Sequence, residues 1–223
     1  MMKKNTYEPQ YEDLYEVLEN HGRAEFGIMA NQSWNDDPKR TLFTLSRYKF
    51  VAKMLNNKNH ALEIGCADAF GTRLVQQTVK KVTASDIDPL FISDAKERMN
   101  KLWPLDLEIH DFVKEPLLKN QYDCGYSLDV LEHIDKENED AFIRNIKSSL
   151  VENSPLIIGI PSTESQKYAS KQSKIGHVNC KTGEELKVFL ENHYKNVFIF
   201  SMNDEVVHTG FFRMSNYLFA LCV

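Results

Sequence analysis

The stretch ALEIGCADAFGT, residues 61–72, joins an apolar run to a turn made of small residues. The apolar run is typical of a buried strand, and apolar residues return at helical spacing over 70–79. In open α/β sheets, ligands bind beside turns of this kind, at the carboxyl ends of the strands. Gly65 permits a tight backbone turn, and Ala67 and Ala69 are small enough to let a ligand approach the main chain. The alternative is a compact turn that binds no ligand.

An acidic residue after the next strand favours a ligand that contains ribose. Asp86 directly follows the strand predicted over 81–85 and lies about twenty residues beyond Gly65. An acid that binds ribose hydroxyls is expected at that position. Asp88 is better explained as the cap of the following helix. Bulky Phe70 stands where a dinucleotide-binding loop requires its third glycine, and the P-loop pattern is missing too. These features favour a small adenosine ligand without phosphates.

Strand patterns alternate with helical patterns along the rest of the chain, which predicts a parallel sheet. The predicted strands are 60–64, 81–85, 105–109, 122–128, 156–160, 196–202 and 211–223. The predicted helices are a short one near 11–20, then 38–55, 70–79, one from Pro89, one around 142–150 and one from Gly183 after a capping box. A short polar loop joins the last two strands, so we expect the sheet to end in an antiparallel hairpin.

Composition and charge exclude several classes of protein. The chain has 223 residues, 42% of them hydrophobic and 26% charged, which fits one elaborated globular domain. We expect a cap segment over 1–37 and the main domain over 38–223. A formal charge of −5 gives no overall basic field, so no nucleic-acid partner is expected. We expect no export signal and no membrane partner. The four cysteines lack metal-ligand spacing and fit reduced thiols, which favours a cytoplasmic location.

The motifs together resemble the class I S-adenosylmethionine-dependent methyltransferases. The segments that carry the resemblance are 62–66, 84–88, 110–112, 122–134 and 155–161. The fourth, YDCGYSLDVLEHI, is similar to small-molecule O-methyltransferases of the ubiquinone-biosynthesis type. The resemblance implies an α/β, Rossmann-like fold with a seven-stranded, mostly parallel sheet, an antiparallel last strand and helices on both faces.

The resemblance also implies S-adenosyl-L-methionine as cofactor, with S-adenosyl-L-homocysteine as product. It makes Asp86 the acid that binds ribose and places Asp111 near the adenine amino group, with Phe112 packed on the ring. It further implies cofactor contacts from Glu63, Gly65, Cys66, Ala67, Ile87, Leu128 and Arg47. The sequence departs from the family pattern where alanines at 67 and 69 replace the second and third glycines of the cofactor motif.

Histidine is the first side chain to look for as a general base, because its pKa is near neutrality. His133 follows the fourth strand and is our first candidate, although it could instead be a capping or core residue. His177 lies in the polar segment 162–181, which is long enough to be a substrate lid. His208 lies between the last two strands. We predict that all three line the acceptor site, while the alternative is that two of them are surface residues.

No standard metal-ligand spacing is present, so the sequence predicts no metal. We expect an enzyme that methylates a small polar acceptor, with a hydroxyl of a sugar or sugar-derived metabolite as the first choice, and that is a monomer or homodimer. The alternatives are a catalytically silent cofactor-binding module that acts through a partner, and a methyltransferase for protein or RNA. A nicotinamide-dependent oxidoreductase is disfavoured by Phe70.

Overall fold

The computed structural model describes residues 6–223, so the first five residues of the predicted cap segment lie outside the described part. Eight strands form one sheet in the order β3-β2-β1-β4-β5-β8-β6-β7. Their bounds are β1 His60–Ile64, β2 Lys81–Asp86, β3 Asp106–Ile109, β4 Cys124–Leu128, β5 Leu156–Pro161, β6 Val197–Asn203, β7 Val206–His208 and β8 Tyr217–Cys222. The first five are mutually parallel, whereas β8 is antiparallel to both β5 and β6. Because these strands are parallel, the carboxyl ends of β1, β2, β3 and β4 lie together at one edge of the sheet.

Helices cover both faces of the sheet. They are α1 Glu12–His21, α2 Ile28–Asp36, α3 Pro38–Met54, α4 Thr72–Val75, α5 Pro89–Glu97, α6 Glu139–Ser149, α7 Lys171–Gly176 and α8 Gly183–Glu191. Alternate residues of a strand point to opposite faces. Leu62 accordingly packs in the core formed with α6 and α8, while Ala61 packs with α3. The α/β, Rossmann-like class with helices on both faces is confirmed. Among residues 6–223, no helix has both the length and the apolar character needed to cross a bilayer.

The sheet has eight strands and not the seven that were predicted. The polar loop after β6 folds back as the short strand β7, which pairs antiparallel with β6. The predicted strand over 211–223 begins only at Tyr217, because residues 212–214 form a 3-10 turn. The expected antiparallel pairing of the last two predicted strands is confirmed as β6 with β8. The short strand β7 is added at the outer edge of β6, and β8 lies between β5 and β6.

Helix boundaries follow local capping where the sequence provides it. Asp37 and Asp88 each accept a hydrogen bond from a first-turn amide, of α3 and α5, and Thr182 with Glu185 forms the expected capping box of α8. The helix predicted over 70–79 is wrong in length, because α4 ends at Val75. The Thr78 hydroxyl donates to the carbonyl of Val75, an alternative to helical bonding that closes the turn before β2.

Candidate active site

A cavity of about 810 Å³ lies at the carboxyl edge of the parallel strands. Its wall includes the residues that follow β1, β2, β3 and β4, together with side chains of α2 and α3. The volume is in the range of small-molecule and cofactor sites. The described part of the chain therefore has a large cavity where the topology of an open α/β sheet places ligands.

The turn after β1 brings the main chain to the cavity. Gly65 has a φ of 77°, and a Cβ there would lie 2.2 Å from Cγ2 of Val130, so only glycine fits. The amides of Gly65 and Cys66 donate to the carbonyl of Ser85, at 2.8 and 2.9 Å, which fixes the turn against β2. Ala67 and Ala69 also have left-handed backbones, with φ of 45° and 54°. These alanines adopt the conformation that glycine would adopt more easily.

Two carboxylates with fixed orientations face this end of the cavity. Asp86 accepts from the amide of Ala67 at 2.8 Å through one oxygen and from the amide of Asp88 at 2.9 Å through the other. Each oxygen keeps a further lone pair, which a vicinal diol such as ribose would use. Asp111 is held by the amide of Val113 at 3.0 Å, and Lys114 adds an ion pair at 3.0 Å. Hydrogen bonding to Lys114 and the amide of Val113 lowers the pKa of Asp111 despite partial burial, which alone would raise it.

Glu63 takes a different position from the one implied by the resemblance. Its side chain is 1% exposed and lies behind the cavity wall, where it accepts from the Tyr48 hydroxyl at 2.8 Å and from the Thr72 hydroxyl at 2.5 Å. Burial raises the pKa of Glu63 to about 7, although both hydroxyl bonds lower it. Tyr48 lines the cavity, so Glu63 positions a lining residue and makes no contact of its own there.

Helix α2 lies over the β1 turn, and the sequence did not predict this helix. Asp68 accepts from the amide of Ala30 at 2.7 Å and so caps the first turn of α2 from another part of the chain. Phe26 packs on both Trp34 and Phe70, with ring centroids 5.4 and 4.9 Å apart. Trp34 is half-exposed and anchors α2 to the β1 turn. Asp68, which caps α2, thus belongs to the same segment, residues 61–72, that forms β1 and its turn.

The other end of the cavity carries a partly buried ion pair. Arg47 donates to both oxygens of Asp129, at 2.7 and 2.9 Å, and its guanidinium lies 3.9 Å from the ring centre of Tyr217. Asp129 directly follows β4 and has a φ of 58°, an unusual conformation for a residue other than glycine. Among the described residues, Nε of Arg47 and the hydroxyl of Tyr217 have no hydrogen-bond partner.

Two of the three predicted histidines meet beside this ion pair. The rings of His133 and His177 have centroids 5.1 Å apart. Nδ1 of His133 bonds to the carbonyl of Gly176 at 2.8 Å, and Nδ1 of His177 bonds to Oε1 of Gln166 at 2.8 Å. Burial lowers the pKa of His177, and the neighbouring His133 lowers it further. Glu132 adds a buried carboxylate whose donor oxygen lies within 4.8 Å of a nitrogen of each ring.

His208 lies far from this pair in the sheet. It belongs to β7, the outer strand, which is separated from β4 by β5, β8 and β6. There its Nδ1 accepts from the amide of Gly210 at 3.0 Å. The structure does not place His208 with His133 and His177, because the extra strand turns the chain back along β6.

Nine of the ten predicted cofactor residues line the cavity, and Glu63 is the exception. The nine are Arg47, Gly65, Cys66, Ala67, Asp86, Ile87, Asp111, Phe112 and Leu128. Sequence reasoning missed Asp68, Asp129 and the residues of α2. Asp129 had a usable signal, since it is the first residue beyond a strand at the ligand-binding edge. The apolar pattern of α2 gave no comparable signal.

Fold and cavity define an α/β protein with a ligand-sized cavity at the carboxyl edge of a mostly parallel sheet. Residues 61–153 match the family model of the methyltransferase domain, a match that covers less than half of the chain. No curated protein matches this sequence.

Solved structures with the same fold include three that are informative. A chain from the complex of the Haloferax volcanii Trm112 methyltransferase activator with a methyltransferase is 12% identical, with 90% and 98% of the two chains covered and a TM-score of 0.68. The CurJ carbon methyltransferase is 15% identical, with 86% and 57% covered and a TM-score of 0.64. The N-methyltransferase NodS from Bradyrhizobium japonicum WM9, bound to S-adenosylhomocysteine, is 19% identical, with 85% and 86% covered and a TM-score of 0.56.

At these identities the structural likeness concerns the fold. Together with the domain match, it supports an S-adenosylmethionine-dependent methyltransferase with S-adenosylmethionine as its cofactor. The residues present fit that cofactor, because Asp86 offers two oriented oxygens to a diol and the small residues Gly65 and Ala67 line the cavity beside it. The finer resemblance to the ubiquinone-biosynthesis type stays a prediction.

Proposed function

We propose that this protein transfers a methyl group from S-adenosylmethionine to a hydroxyl of a small polar acceptor, with sugars and sugar-derived metabolites as the first class to test. The observation that carries the proposal is a single cavity with two chemically different ends. Asp86 and Asp111 lie at one end, and the Arg47–Asp129 pair and His133 lie at the other. A cofactor held at the first end would present its reactive carbon towards the second.

The cofactor, when bound, supplies an electrophilic methyl group on a sulfonium. Asp86 is proposed to accept hydrogen bonds from the ribose hydroxyls, and Asp111 from the adenine amino group. Phe112 is 3% exposed and forms part of the wall beside Asp111, where it would pack against the adenine ring. The amino-terminal segment is proposed to act as a cap, since α2 already contributes Met29, Ala30 and Ser33 to the cavity wall.

The acceptor end suits a hydroxyl because it offers polar groups that are still unsatisfied. The carbonyl of Gly176 can only accept, so in the neutral ring of His133 the proton is on Nδ1 and the lone pair is on Nε2. That lone pair is proposed to accept the proton of the acceptor hydroxyl as the new C–O bond forms and the bond from the methyl carbon to sulfur breaks, which releases S-adenosylhomocysteine. Arg47 lines the cavity at this end, and its side chain is proposed to bind a further hydroxyl of a polyol. Orienting the two reactants supplies much of the expected rate.

The first experiment is calorimetric titration of the purified protein with S-adenosylhomocysteine and S-adenosylmethionine, with NAD as the negative control. We expect micromolar binding of the two sulfur compounds, which the Asp86→Ala variant weakens by about 10- to 100-fold as charged hydrogen bonds are lost. Asp106→Ala is the matched control, because Asp106 pairs with Lys81 at the opposite end of the sheet. Equal binding by the Asp86→Ala variant and the wild type would contradict the assignment.

The second experiment tests the reaction. The protein is incubated with S-adenosylmethionine and a panel of sugars, polyols, amines, protein and RNA, and S-adenosylhomocysteine release is measured. Turnover with a hydroxyl compound supports the proposal. Turnover only with protein or RNA would show that the acceptor is a macromolecule and not a small hydroxyl compound. Binding without turnover on any acceptor favours the silent module that acts through a partner.

A further inference from the structure

Three metal-binding side chains meet at the acceptor end of the cavity. Glu132, His133 and His177 each offer one donor atom, and these atoms lie within 4.8 Å of one another. Glu132 and His133 belong to the 3-10 turn after β4, whereas His177 directly follows α7. The two segments are more than forty positions apart in the chain. Their meeting is therefore a property of the tertiary structure that the spacing of the sequence does not reveal.

Both imidazole rings are fixed with a free nitrogen. Nδ1 of His133 faces the carbonyl of Gly176, and Nδ1 of His177 faces the amide oxygen of Gln166, so both Nδ1 atoms donate. Each Nε2 then carries a lone pair. Histidines that bind metals show the same pattern, in which the second ring nitrogen donates to a carbonyl or carboxylate oxygen and so fixes the ring.

Glu132 contributes a carboxylate that lacks a partner. Its side chain is 1% exposed, and among the described residues Oε2 has no hydrogen-bond partner. A buried polar atom of this kind is costly unless something binds it. Its position is fixed, because the amides of Val178 and Asn179 donate to the main-chain carbonyl of Glu132 at 2.8 and 3.0 Å. The same two bonds hold His177 beside the turn.

We propose that Glu132, His133 and His177 form a binding site for a divalent transition-metal cation. Two imidazoles and one carboxylate suit Zn²⁺, Mn²⁺ or Fe²⁺ better than Mg²⁺ or Ca²⁺, which prefer oxygen ligands. Metal–ligand bonds of roughly 2.0–2.2 Å require donor separations of roughly 3–4 Å. The three side chains therefore need to move together by about 1 Å at most. Three protein ligands leave coordination positions open, as in catalytic metal sites.

The position of the site gives the cation a role in the reaction, and this part of the inference rests on the proposed function. His133 lines the cavity, so a cation that it binds would lie beside the space assigned to the acceptor. A hydroxyl bound to the cation would become more acidic and would lose its proton to water. Its oxygen would form the bond to the methyl carbon as the carbon–sulfur bond of the sulfonium breaks and S-adenosylhomocysteine leaves. With the cation present, Nε2 of His133 is a ligand and no longer accepts that proton.

The test is calorimetric titration of the chelator-treated protein with Zn²⁺, Mn²⁺ and Mg²⁺, each used alone. We expect one site for Zn²⁺ or Mn²⁺ per chain. Binding should weaken at least tenfold in His177→Ala and in Glu132→Gln, and should be unchanged in His208→Ala, the matched control from the outer strand. His177 is partly exposed on a loop, so its variant decides the result if Glu132→Gln does not fold.

Several results would overturn the site. They are no Zn²⁺ or Mn²⁺ binding by the wild-type protein, equal binding by the His177→Ala variant, or Mg²⁺ binding as tight as that of Zn²⁺. The proposed function fails separately, since S-adenosylhomocysteine binding and its loss in Asp86→Ala are measured in chelator and need no cation. If the protein binds the cation but not S-adenosylhomocysteine, the metal site stands and the proposed methyltransferase function is contradicted.

Discussion

The two ends of the cavity differ in how completely their polar groups are bonded. At the cofactor end, both oxygens of Asp86 accept main-chain hydrogen bonds, and Asp111 is held by an amide and by Lys114. At the acceptor end, Oε2 of Glu132 and the hydroxyl of Tyr217 are buried without partners among the described residues. Buried polar groups are usually bonded, so these two unbonded atoms behind the cavity wall make the acceptor end the less completely bonded of the two.

The comparison suggests that the cofactor end is preformed and that the acceptor end depends more on what binds there. A carboxylate that is already fixed needs little reorganisation to bind a diol, so the free-energy cost of ordering it is small and tight cofactor binding is favoured. At the acceptor end, burial raises the pKa of Glu132 well above its ordinary value, and the charge of Asp129 raises it further. The predictions below test whether the cofactor end is as rigid, and the acceptor end as unsatisfied, as this comparison requires.

The largest effect is expected at Gly65. Gly65→Ala should lower the free energy of unfolding by about 3 kcal/mol or more, because a left-handed alanine is strained and its Cβ would overlap Val130. Gly22→Ala is the matched control, since Gly22 has a φ of 69° and open space around it. It should cost about 1 kcal/mol in urea unfolding. Equal costs for the two variants would mean that the β1 turn is not tightly packed against Val130.

The next effect concerns Glu63 and pH. The pKa of Glu63 is about 7 in the folded protein and 4.5 unperturbed, so the folded state binds more protons between these values. The stabilising contribution of protonated Glu63 is therefore fully present below pH 4.5 and is lost as the pH rises to about 7. Over this range the free energy of unfolding should fall by roughly 3 kcal/mol. The measurement is urea unfolding of the wild type and of Glu63→Gln at pH 5 and pH 8. Their difference should change with pH, and a constant difference would contradict the raised pKa.

A pair of buried tyrosines gives a smaller and more direct comparison. Tyr48→Phe removes the hydroxyl that donates to Glu63 and should lower the free energy of unfolding by about 1–2 kcal/mol. Tyr217→Phe removes a hydroxyl without a partner, keeps the ring beneath Arg47, and should change stability by less than about 0.5 kcal/mol or raise it slightly. Similar losses in both variants would show that the acceptor end is already satisfied in the free protein.

Local patterns predicted the parts of this site that depend on neighbouring residues in the chain. The bounds of β1, the helix cap at Asp88 and the position of Asp86 all follow from patterns within a few residues. The alternation within β1 also contains the reason why Glu63 faces α3, together with Ala61 and away from the core of Leu62. That signal was available and was outweighed by the family resemblance.

Long-range contacts could not be predicted in the same way. The Arg47–Asp129 pair joins residues 82 positions apart, and Asp68 caps α2 across 38 positions. His177 reaches His133 only because main-chain bonds to Glu132 hold its loop there. The error at His208 has a topological cause, since the short strand β7 returns along β6 and pairs His208 with Ser201, two residues before the end of that strand.

The smallest effect is expected at the alanines of the β1 turn. Ala67→Gly should raise the free energy of unfolding by roughly 0.5 kcal/mol, because relief of a left-handed φ of 45° slightly exceeds the entropy that glycine loses on folding. Ala61→Gly is the matched control in β1, where the backbone is extended and the fully buried methyl group packs, so it should lower stability by about 1 kcal/mol. Opposite signs would confirm that the turn stores strain at the cofactor end.

The same variant separates two explanations for the alanines. If Ala67 only strains the backbone, S-adenosylhomocysteine should bind the Ala67→Gly variant within about threefold of the wild type, since the bond from the amide of residue 67 to Asp86 is unchanged. If the methyl group narrows the site, affinity should rise by tenfold or more, as about 1.4 kcal/mol of steric cost disappears. The second result would mean that the cofactor end is preformed in its hydrogen bonds but not in its shape, and it would favour the silent module over the enzyme.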